Sequence, residues 1–159
     1  MLSHREIERR IPHQGGMCLL DHVVEWDASR IRCEATSHRA ADNPLRAHGR
    51  LGIACGIEYA AQAMAVHGAL LAQAQADGGP APVPSAGYLA GVRSVRLHAS
   101  RLDDVQDDLT VRAERMMGDA GGVVYEFEVH AGARLLLGGR AIVILDAAAA
   151  APQSRRELP

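Results

Sequence analysis

The sequence predicts an α+β fold in which an antiparallel sheet of about six strands wraps around one long central helix. A run of mostly small apolar residues, from Gly52 to Ala76, contains a single formally charged side chain, Glu58. Six strand-like segments flank this run, two before it and four after it. Aromatic residues make up only 3% of the chain, so Ala, Val, Leu and Ile must form most of the core. Such a core allows helix and sheet to approach closely.

The chain before the long helix is expected to form a short helix and then a hairpin. Ser3 is a candidate N-cap, Glu6 follows it at the capping-box spacing, and Pro12 ends this helix. The runs Cys18–Trp26 and Ile31–Thr36 have the composition of strands and are separated by the turn-forming sequence DASR. A polar loop containing proline then leads into the long helix.

The chain after the long helix is expected to form sheet. The connector DGGPAPVPSAG is too rich in Gly and Pro to continue the helix. In VVYEFEVH apolar and polar residues alternate, which indicates a strand with one buried face. The four predicted strands are Tyr88–His98, Asp108–Met116, Val123–His130 and Leu135–Leu145.

A helix that is apolar on most sides must be covered on most sides, and a curled antiparallel sheet provides that cover. This arrangement is the hotdog fold. Residues 1–147 are expected to form one such domain, and residues 148–159 are expected to form a mobile tail because they lack any strand pattern.

Charge and cysteine content exclude several classes of protein. The 17 basic and 19 acidic residues give a net charge of -2, which argues against a general nucleic-acid binder. The N-terminus is too charged for a signal peptide, and Glu58 with His67 favours a buried helix over a membrane span. Cys18, Cys33 and Cys55 have no metal-site spacing, so we expect buried thiols, a reducing cytoplasm and no metal.

Glu58 is the residue of the long helix that most needs an explanation. Helical periodicity places it on one stripe with Gln62 and with small side chains such as Ala61 and Ala65. It is either a solvated acid, a buried structural acid satisfied by Arg or backbone donors, or a general acid or base in a pocket. We favour the third interpretation, because the helix carries no other charge and the small side chains leave space beside the carboxylate.

Three segments, in order along the chain, resemble the beta-hydroxyacyl-acyl-carrier-protein dehydratases. They are IPHQGGMCLLDHVVEWD, GIEYAAQAMA and GYLAGVRSVRLHASRLDD. In the second segment Glu58 and Gln62 keep the Glu-x-x-x-Gln relation of the family. The segment NPLRAHGRL, followed by GIEYAAQAMAVHG, is most similar in sequence to the branch of this family that is associated with aryl polyene biosynthesis clusters.

The resemblance implies loss of water from a 3-hydroxyacyl thioester, which gives the trans-2-enoyl thioester. In this family a His and the helix carboxylate divide the proton transfers. Amides at the start of the helix, from Gly52, Ile53 and Ala54, would stabilise negative charge on the thioester oxygen, and Gln62 would line the same pocket. No metal or organic cofactor is implied. The substrate carrier would be an acyl carrier protein or coenzyme A.

The histidine is where the sequence departs from the family. The expected Gly-His-Phe-Pro-Gly loop falls at Asn43 and Pro44, neither of which can act as a base. His48 lies in the same loop, ten residues before Glu58, and is one candidate substitute. His13 is the other, because the chain entering the first strand passes near the helix in this fold.

Three arginines follow the connector and are candidates for binding the carrier. Arg93, Arg96 and Arg101 could steer an acidic carrier protein and hold the phosphate of its phosphopantetheine. They could equally be outward strand residues paired with Asp103 and Asp104.

A single hotdog subunit leaves a sheet edge and one flank of the helix uncovered, so we expect a homodimer or a heterodimer with another hotdog subunit. No nucleic-acid or membrane partner is expected. Three functions compete: a dehydratase, a hotdog thioesterase in which Glu58 activates water, and a non-catalytic partner subunit that completes another subunit's site.

Overall fold

The computed structural model describes residues 1–76, 87–119 and 121–144. Most of the predicted connector and the predicted tail, residues 148–159, lie outside the described residues. The elements before the connector are β1 (Leu2–Ser3), α1 (His4–Glu8), β2 (His22–Trp26), β3 (Arg30–Ala35) and α2 (Gly56–Gln75). Those after it are β4 (Tyr88–Leu97), β5 (Leu109–Gly118), β6 (Gly122–Ala131) and β7 (Arg134–Ile144).

The strands form a single antiparallel sheet in the order β1-β2-β3-β5-β6-β7-β4. The six predicted strands are all present, and β2 and β3 form the predicted hairpin. The seventh strand, β1, has only two residues and is too short to give a periodic signal. The prediction of an α+β hotdog fold, with one long helix wrapped by an antiparallel sheet, is confirmed.

Helix α2 packs on the concave face of the sheet against β3, β5 and β6. Its buried side includes Tyr59, Ala60, Ala63 and Val66, all fully inaccessible to solvent. Gly56 shows why small residues are needed, because a Cβ added there would collide with the side chain of Leu137 on β7. None of the described helices is long and apolar enough to cross a membrane.

The start of α2 differs from the prediction. The sequence predicted a helix from Gly52, whereas α2 begins at Gly56 after a 3-10 turn over Ile53–Cys55. The reason is tertiary: Gly52 forms a β-bridge with Arg101, and the Ile53 amide donates to the Ser100 carbonyl at 3.2 Å. These contacts hold the chain extended where local propensity favours helix.

One buried carboxylate fixes this approach to the helix. Asp103 Oδ1 accepts hydrogen bonds from the Leu51 amide at 3.0 Å and from Arg101 Nε at 2.9 Å. Its Oδ2 lies 3.3 Å from Arg46 Nη1. The hydrogen bonds from Arg101 hold the pKa of Asp103 well below its usual range. The Asp103 carboxylate therefore ties the loop before α2 to the chain after β4.

Strand β4 lies at one edge of the sheet, and α2 does not cover it. Val92 and Leu97 pair in register with Ala141 and Leu137, whose side chains are fully buried in the core. Val92 and Leu97 themselves are 36% and 50% exposed. Val92 and Leu97 thus lie on the sheet face that carries the core, but at this edge they are exposed to solvent.

Candidate active site

Glu58 lies in the first turn of α2, and its side chain is 32% exposed. It shares the exposed flank of the helix with the half-buried Ile57, Ala61 and Ala65. The carboxylate is therefore neither fully solvated nor sealed in the core. Two of these neighbours, Ala61 and Ala65, have small side chains.

Gln62 is fully buried and holds Glu58 in place. Its Nε2 donates to Glu58 Oε1 at 3.0 Å and to the Met17 carbonyl at 2.8 Å. Its Oε1 accepts the Leu19 amide at 2.9 Å. Both the oxygen and the nitrogen of the side-chain amide are thus hydrogen-bonded, and these bonds join the helix to the chain that enters β2. The bond from Nε2 also fixes the position of the Glu58 carboxylate.

His13 reaches Glu58 from the segment between α1 and β2. Its Nε2 lies 3.0 Å from Glu58 Oε1, and its side chain is 29% exposed. The two residues are 45 positions apart in the chain, so only the fold brings them together. Of the two candidate histidines, His13 is the one that contacts the helix carboxylate.

The loop that carries His13 is held by hydrogen bonds of Gln14 and Glu8, two residues that no catalytic motif of the sequence indicates. Gln14 Nε2 donates to the Glu8 carbonyl at 2.7 Å, and the Gly15 amide donates to Glu8 Oε1 at 2.8 Å. Gly15 has φ +57°, a left-handed conformation that glycine adopts without strain. The available signal was the motif PHQGG, in which two glycines follow Gln14 and give the chain next to His13 unusual backbone freedom.

His48 lies at the tip of a tight turn between Ala47 and Arg50, whose backbones exchange hydrogen bonds of 3.0 and 3.1 Å. His48 has φ 52° and Gly49 has φ 73°, the pattern of a two-residue turn that reverses the chain. His48 is exposed, and among the described residues it makes no hydrogen bond or ion pair with Glu58. The chain by itself does not bring His48 to the carboxylate.

The loop around Pro44, where the spacing places the family's histidine, has a structural role here. Asn43 is buried, and its Nδ2 donates to the Tyr59 hydroxyl at 3.1 Å and to the Ser37 carbonyl at 2.9 Å. The Tyr59 hydroxyl also lies 2.8 Å from Ser37 Oγ. Asn43 therefore anchors the loop to α2, beside the exposed Pro44.

The amides predicted to stabilise a thioester oxygen are only partly available. The Ile53 amide is already bonded to the Ser100 carbonyl, and the Gly52 carbonyl accepts the Cys55 amide at 3.0 Å. Ala54 is the middle residue of the 3-10 turn and is exposed. Within this segment, the Ile53 amide cannot serve a ligand unless its bond to Ser100 breaks.

The three candidate arginines have different surroundings. Arg101 forms an ion pair with Asp103, which is the second of the two roles considered above for these arginines. Arg93 and Arg96 are exposed on β4, and their register partners on β7 are Arg140 and Gly138. Arg93 thus lies beside a second cation, Arg140, whose register partner on β6 is Glu126.

Two His and Glu pairs on the sheet provide a comparison for the His13 and Glu58 pair. His22 Nε2 lies 2.9 Å from Glu34 Oε2, with both side chains 34% exposed. His130 Nε2 lies 2.8 Å from Glu128 Oε2. Both pairs lie on strands of the sheet, whereas Glu58 lies on the helix and is also bonded to a buried amide. In the described ranges, no group of three or more His, Cys, Asp or Glu side chains is arranged to hold a metal ion.

The thiols lie in the interior. Cys18 and Cys33 are buried and Cys55 is half-buried, and all three are free. Burial raises the pKa of Cys33 to about 12 and that of Cys18 to about 11. Both thiols therefore stay protonated and are poor nucleophiles.

Two surface depressions lie elsewhere on the molecule. One, of about 310 Å³, is formed by the chain after β4 and the turn between β6 and β7. The other, of about 450 Å³, lies among charged side chains of β2, β3, β5 and β6. Neither is lined by Glu58 or His13.

Solved structures similar to this one support the fold. The dehydratase heterocomplex ApeI:P from Xenorhabdus doucetiae matches with a TM-score of 0.76 at 23% identity, over 87% of this chain and 90% of that chain. A mutant thioesterase from Staphylococcus aureus matches with a TM-score of 0.55 at 12% identity, over 79% and 92% of the two chains. The PaaI protein of the Escherichia coli phenylacetic acid degradation operon matches with a TM-score of 0.52 at 13% identity, over 77% and 80%.

Comparison of the sequence itself identifies the family. No curated protein sequence matches the chain. A family model described as ApeP-like, ApeP dehydratase, matches residues 5–151, which is nearly the whole chain. The predicted resemblance to hotdog dehydratases of the aryl polyene branch is confirmed, and the chain belongs to the ApeP-like dehydratase family.

Proposed function

We propose that this protein dehydrates a 3-hydroxyacyl thioester on an acyl carrier protein to the trans-2-enoyl thioester, in aryl polyene or similar fatty-acid-like biosynthesis. The observation that carries the proposal is the contact of His13 Nε2 with Glu58 Oε1 at 3.0 Å, on the half-open flank of the helix. Membership of the ApeP-like dehydratase family supports it.

The reaction needs a group that can remove the proton from C2 of the substrate and protonate the leaving hydroxyl on one face of the substrate. The C2–H bond breaks, its electron pair forms the C2=C3 double bond, the C3–O bond breaks, and the hydroxyl leaves as water after gaining a proton. Glu58 is held by Gln62 and His13 but is 32% exposed, so it is both oriented and accessible. A positioned acid or base of this kind contributes about 10²- to 10⁴-fold to a rate.

The partner we propose is a second hotdog subunit that adds to the sheet at β4. An edge strand with exposed apolar side chains is a ready site for strand pairing, and Val92 and Leu97 are exposed on the core-facing side of this one. The Xenorhabdus doucetiae relative was solved as a heterocomplex. Light scattering after size exclusion tests this: Val92→Asp should dissociate the assembly, and an unchanged mass would contradict the proposal.

Exposed arginines next to this surface fit the proposed carrier. Arg93 and Arg96 are exposed on β4, and Arg140 on β7 is the register partner of Arg93. Acyl carrier proteins are acidic and carry their substrate on a phosphate-linked arm, so clustered guanidinium groups would attract both. We propose that these arginines contribute to carrier binding.

The deciding experiment follows two products of one incubation. The purified protein, with its partner subunit where one copurifies, is given a 3-hydroxyacyl thioester, and both enoyl absorbance and free thiol are recorded. Enoyl formation is expected. Thiol release without enoyl product would instead identify a thioesterase, in which Glu58 activates water.

A matched pair of substitutions tests the site. Glu58→Gln should reduce enoyl formation by about 10²- to 10⁴-fold. Glu34→Gln is the control, because Glu34 has a histidine partner at a similar distance and a similar exposed fraction on the sheet. An unchanged rate in Glu58→Gln would remove this carboxylate from the chemistry and favour the non-catalytic partner subunit.

A further inference from the structure

The two ring nitrogens of His13 lie in different environments. Nε2 is 3.0 Å from Glu58 Oε1. Nδ1 is buried and has no hydrogen-bond partner among the described residues. The side chain as a whole is 29% exposed, so the nitrogen that faces inward is shielded while other atoms of the ring reach the surface.

Hydrogen bonding at Glu58 fixes where the protons are. Glu58 Oε1 receives a hydrogen from Gln62 Nε2, which can only donate. In its carboxylate form Glu58 can only accept, so Nε2 of His13 carries the hydrogen and donates it to Oε1. In the neutral ring Nδ1 then carries none. The lone pair of Nδ1 is the only basic site left on the imidazole, and it is buried.

The substrate therefore cannot use His13 directly while this contact holds. Nε2 is committed to Glu58, and Nδ1 is enclosed by protein. Glu58 Oε2 is different, because within the described part of the chain it makes no hydrogen bond, and the side chain is 32% exposed. Oε2 is the atom of the pair that is free to accept a proton.

We propose that His13 is a positioning residue, which holds Glu58 for catalysis and itself takes no proton from the substrate. This inference rests on the proposed dehydration. In it, Glu58 Oε2 takes the proton from C2, and the electron pair of the C2–H bond forms the C2=C3 double bond as the C3–O bond breaks. Glu58 returns the same proton to the departing oxygen, so that water leaves and the carboxylate is restored.

Two substitutions of His13 distinguish positioning from proton transfer. In His13→Gln the amide nitrogen replaces Nε2 and can still donate to Glu58, whereas in His13→Asn it replaces Nδ1 and cannot reach. We expect kcat of His13→Gln to stay within about 10-fold of the parent, and kcat of His13→Asn to fall by about 10- to 100-fold, the factor for a hydrogen bond to a charged group. His22→Gln, in the pair with Glu34, is the matched control.

A base would behave differently, because neither amide accepts protons. If His13 were the base, both substitutions would lower kcat equally, by about 10²- to 10⁴-fold. Equal loss in both variants overturns the proposal. Rescue by Gln but not by Asn supports it, since a merely structural contact would alter folding and not kcat in the folded protein.

A spectroscopic measurement decides the same question without turnover. A long-range ¹H–¹⁵N correlation spectrum at pH 8 should show His13 as the Nε2–H tautomer, assigned by the signal lost in His13→Gln. The Nδ1–H tautomer overturns the inference. If the protein forms no enoyl product, the proposed function fails, but the tautomer still shows whether His13 is committed to Glu58.

Discussion

Replacing Gln62 by Leu should be the most damaging single change at the site, because Gln62 connects three separate parts of the chain. Its amide group bonds to the Leu19 amide, the Met17 carbonyl and Glu58 Oε1, at 2.9, 2.8 and 3.0 Å. Leu has a similar volume, so Gln62→Leu removes the hydrogen bonds without opening a large cavity. The effect then reports on polar satisfaction alone.

The magnitude follows from which groups lose their partner. Leu19 is fully buried, so its orphaned amide costs about 1 to 3 kcal/mol. The hydrogen bonds to Met17 and Glu58 each contribute about 1 kcal/mol more, the second being reduced by the exposure of Glu58. We expect the free energy of unfolding to fall by about 3 to 5 kcal/mol. For a domain of this size that lowers Tm by on the order of 10 °C.

Urea denaturation followed by circular dichroism measures this loss. The control is Gln75→Leu, at an exposed position at the end of the same helix, which should change the free energy of unfolding by less than about 0.5 kcal/mol. A loss below about 1 kcal/mol in Gln62→Leu would refute the reasoning, because it would mean that the Leu19 amide finds another partner.

Two further predictions concern stability. Gly56→Ala should destabilise the protein by about 1 to 3 kcal/mol, because its Cβ would collide with buried Leu137. Gly68→Ala, which meets open space, should stabilise α2 by about 1 kcal/mol. If urea denaturation gave both variants the same change in the free energy of unfolding, the close packing of Gly56 on Leu137 would be contradicted. Burial lowers the pKa of His38 and of His67 from the ordinary value of 6.5. Below pH 6.5 these histidines bind protons in the unfolded chain but resist protonation in the folded chain. The free energy of unfolding, measured in urea, should therefore be lower at pH 5.5 than at pH 7.5. Equal free energies at the two pH values would contradict this prediction.

Much of the fold could be predicted because its signals are local. A long run of small apolar residues required a covered helix, and alternation in VVYEFEVH indicated a half-buried strand, found as β6. The start of α2 could not be predicted, since the bridge of Gly52 with Arg101 joins positions far apart in the chain. No local propensity encodes such a contact.

The site divides in the same way. The stripe that contains Glu58 and Gln62 follows from helical geometry, and both residues lie where it placed them. The choice between His13 and His48 depends on two loops whose paths are set by tertiary contacts, such as the bond of Asn43 to Tyr59. In sequence His48 is the nearer of the two candidates to Glu58, whereas the fold brings His13 to the carboxylate.

Stability alone does not account for the pair of His13 and Glu58. A pair this exposed, with side chains at 29% and 32%, adds at most about 1 kcal/mol. Burying His13 Nδ1 without a partner costs about as much or more. The contact of His13 with Glu58 is thus energetically near neutral or unfavourable, yet it orients one carboxylate on an open flank of the helix. Such an arrangement is expected where orientation of a reactive group matters more than stability, and it supports the proposal that Glu58 carries the chemistry.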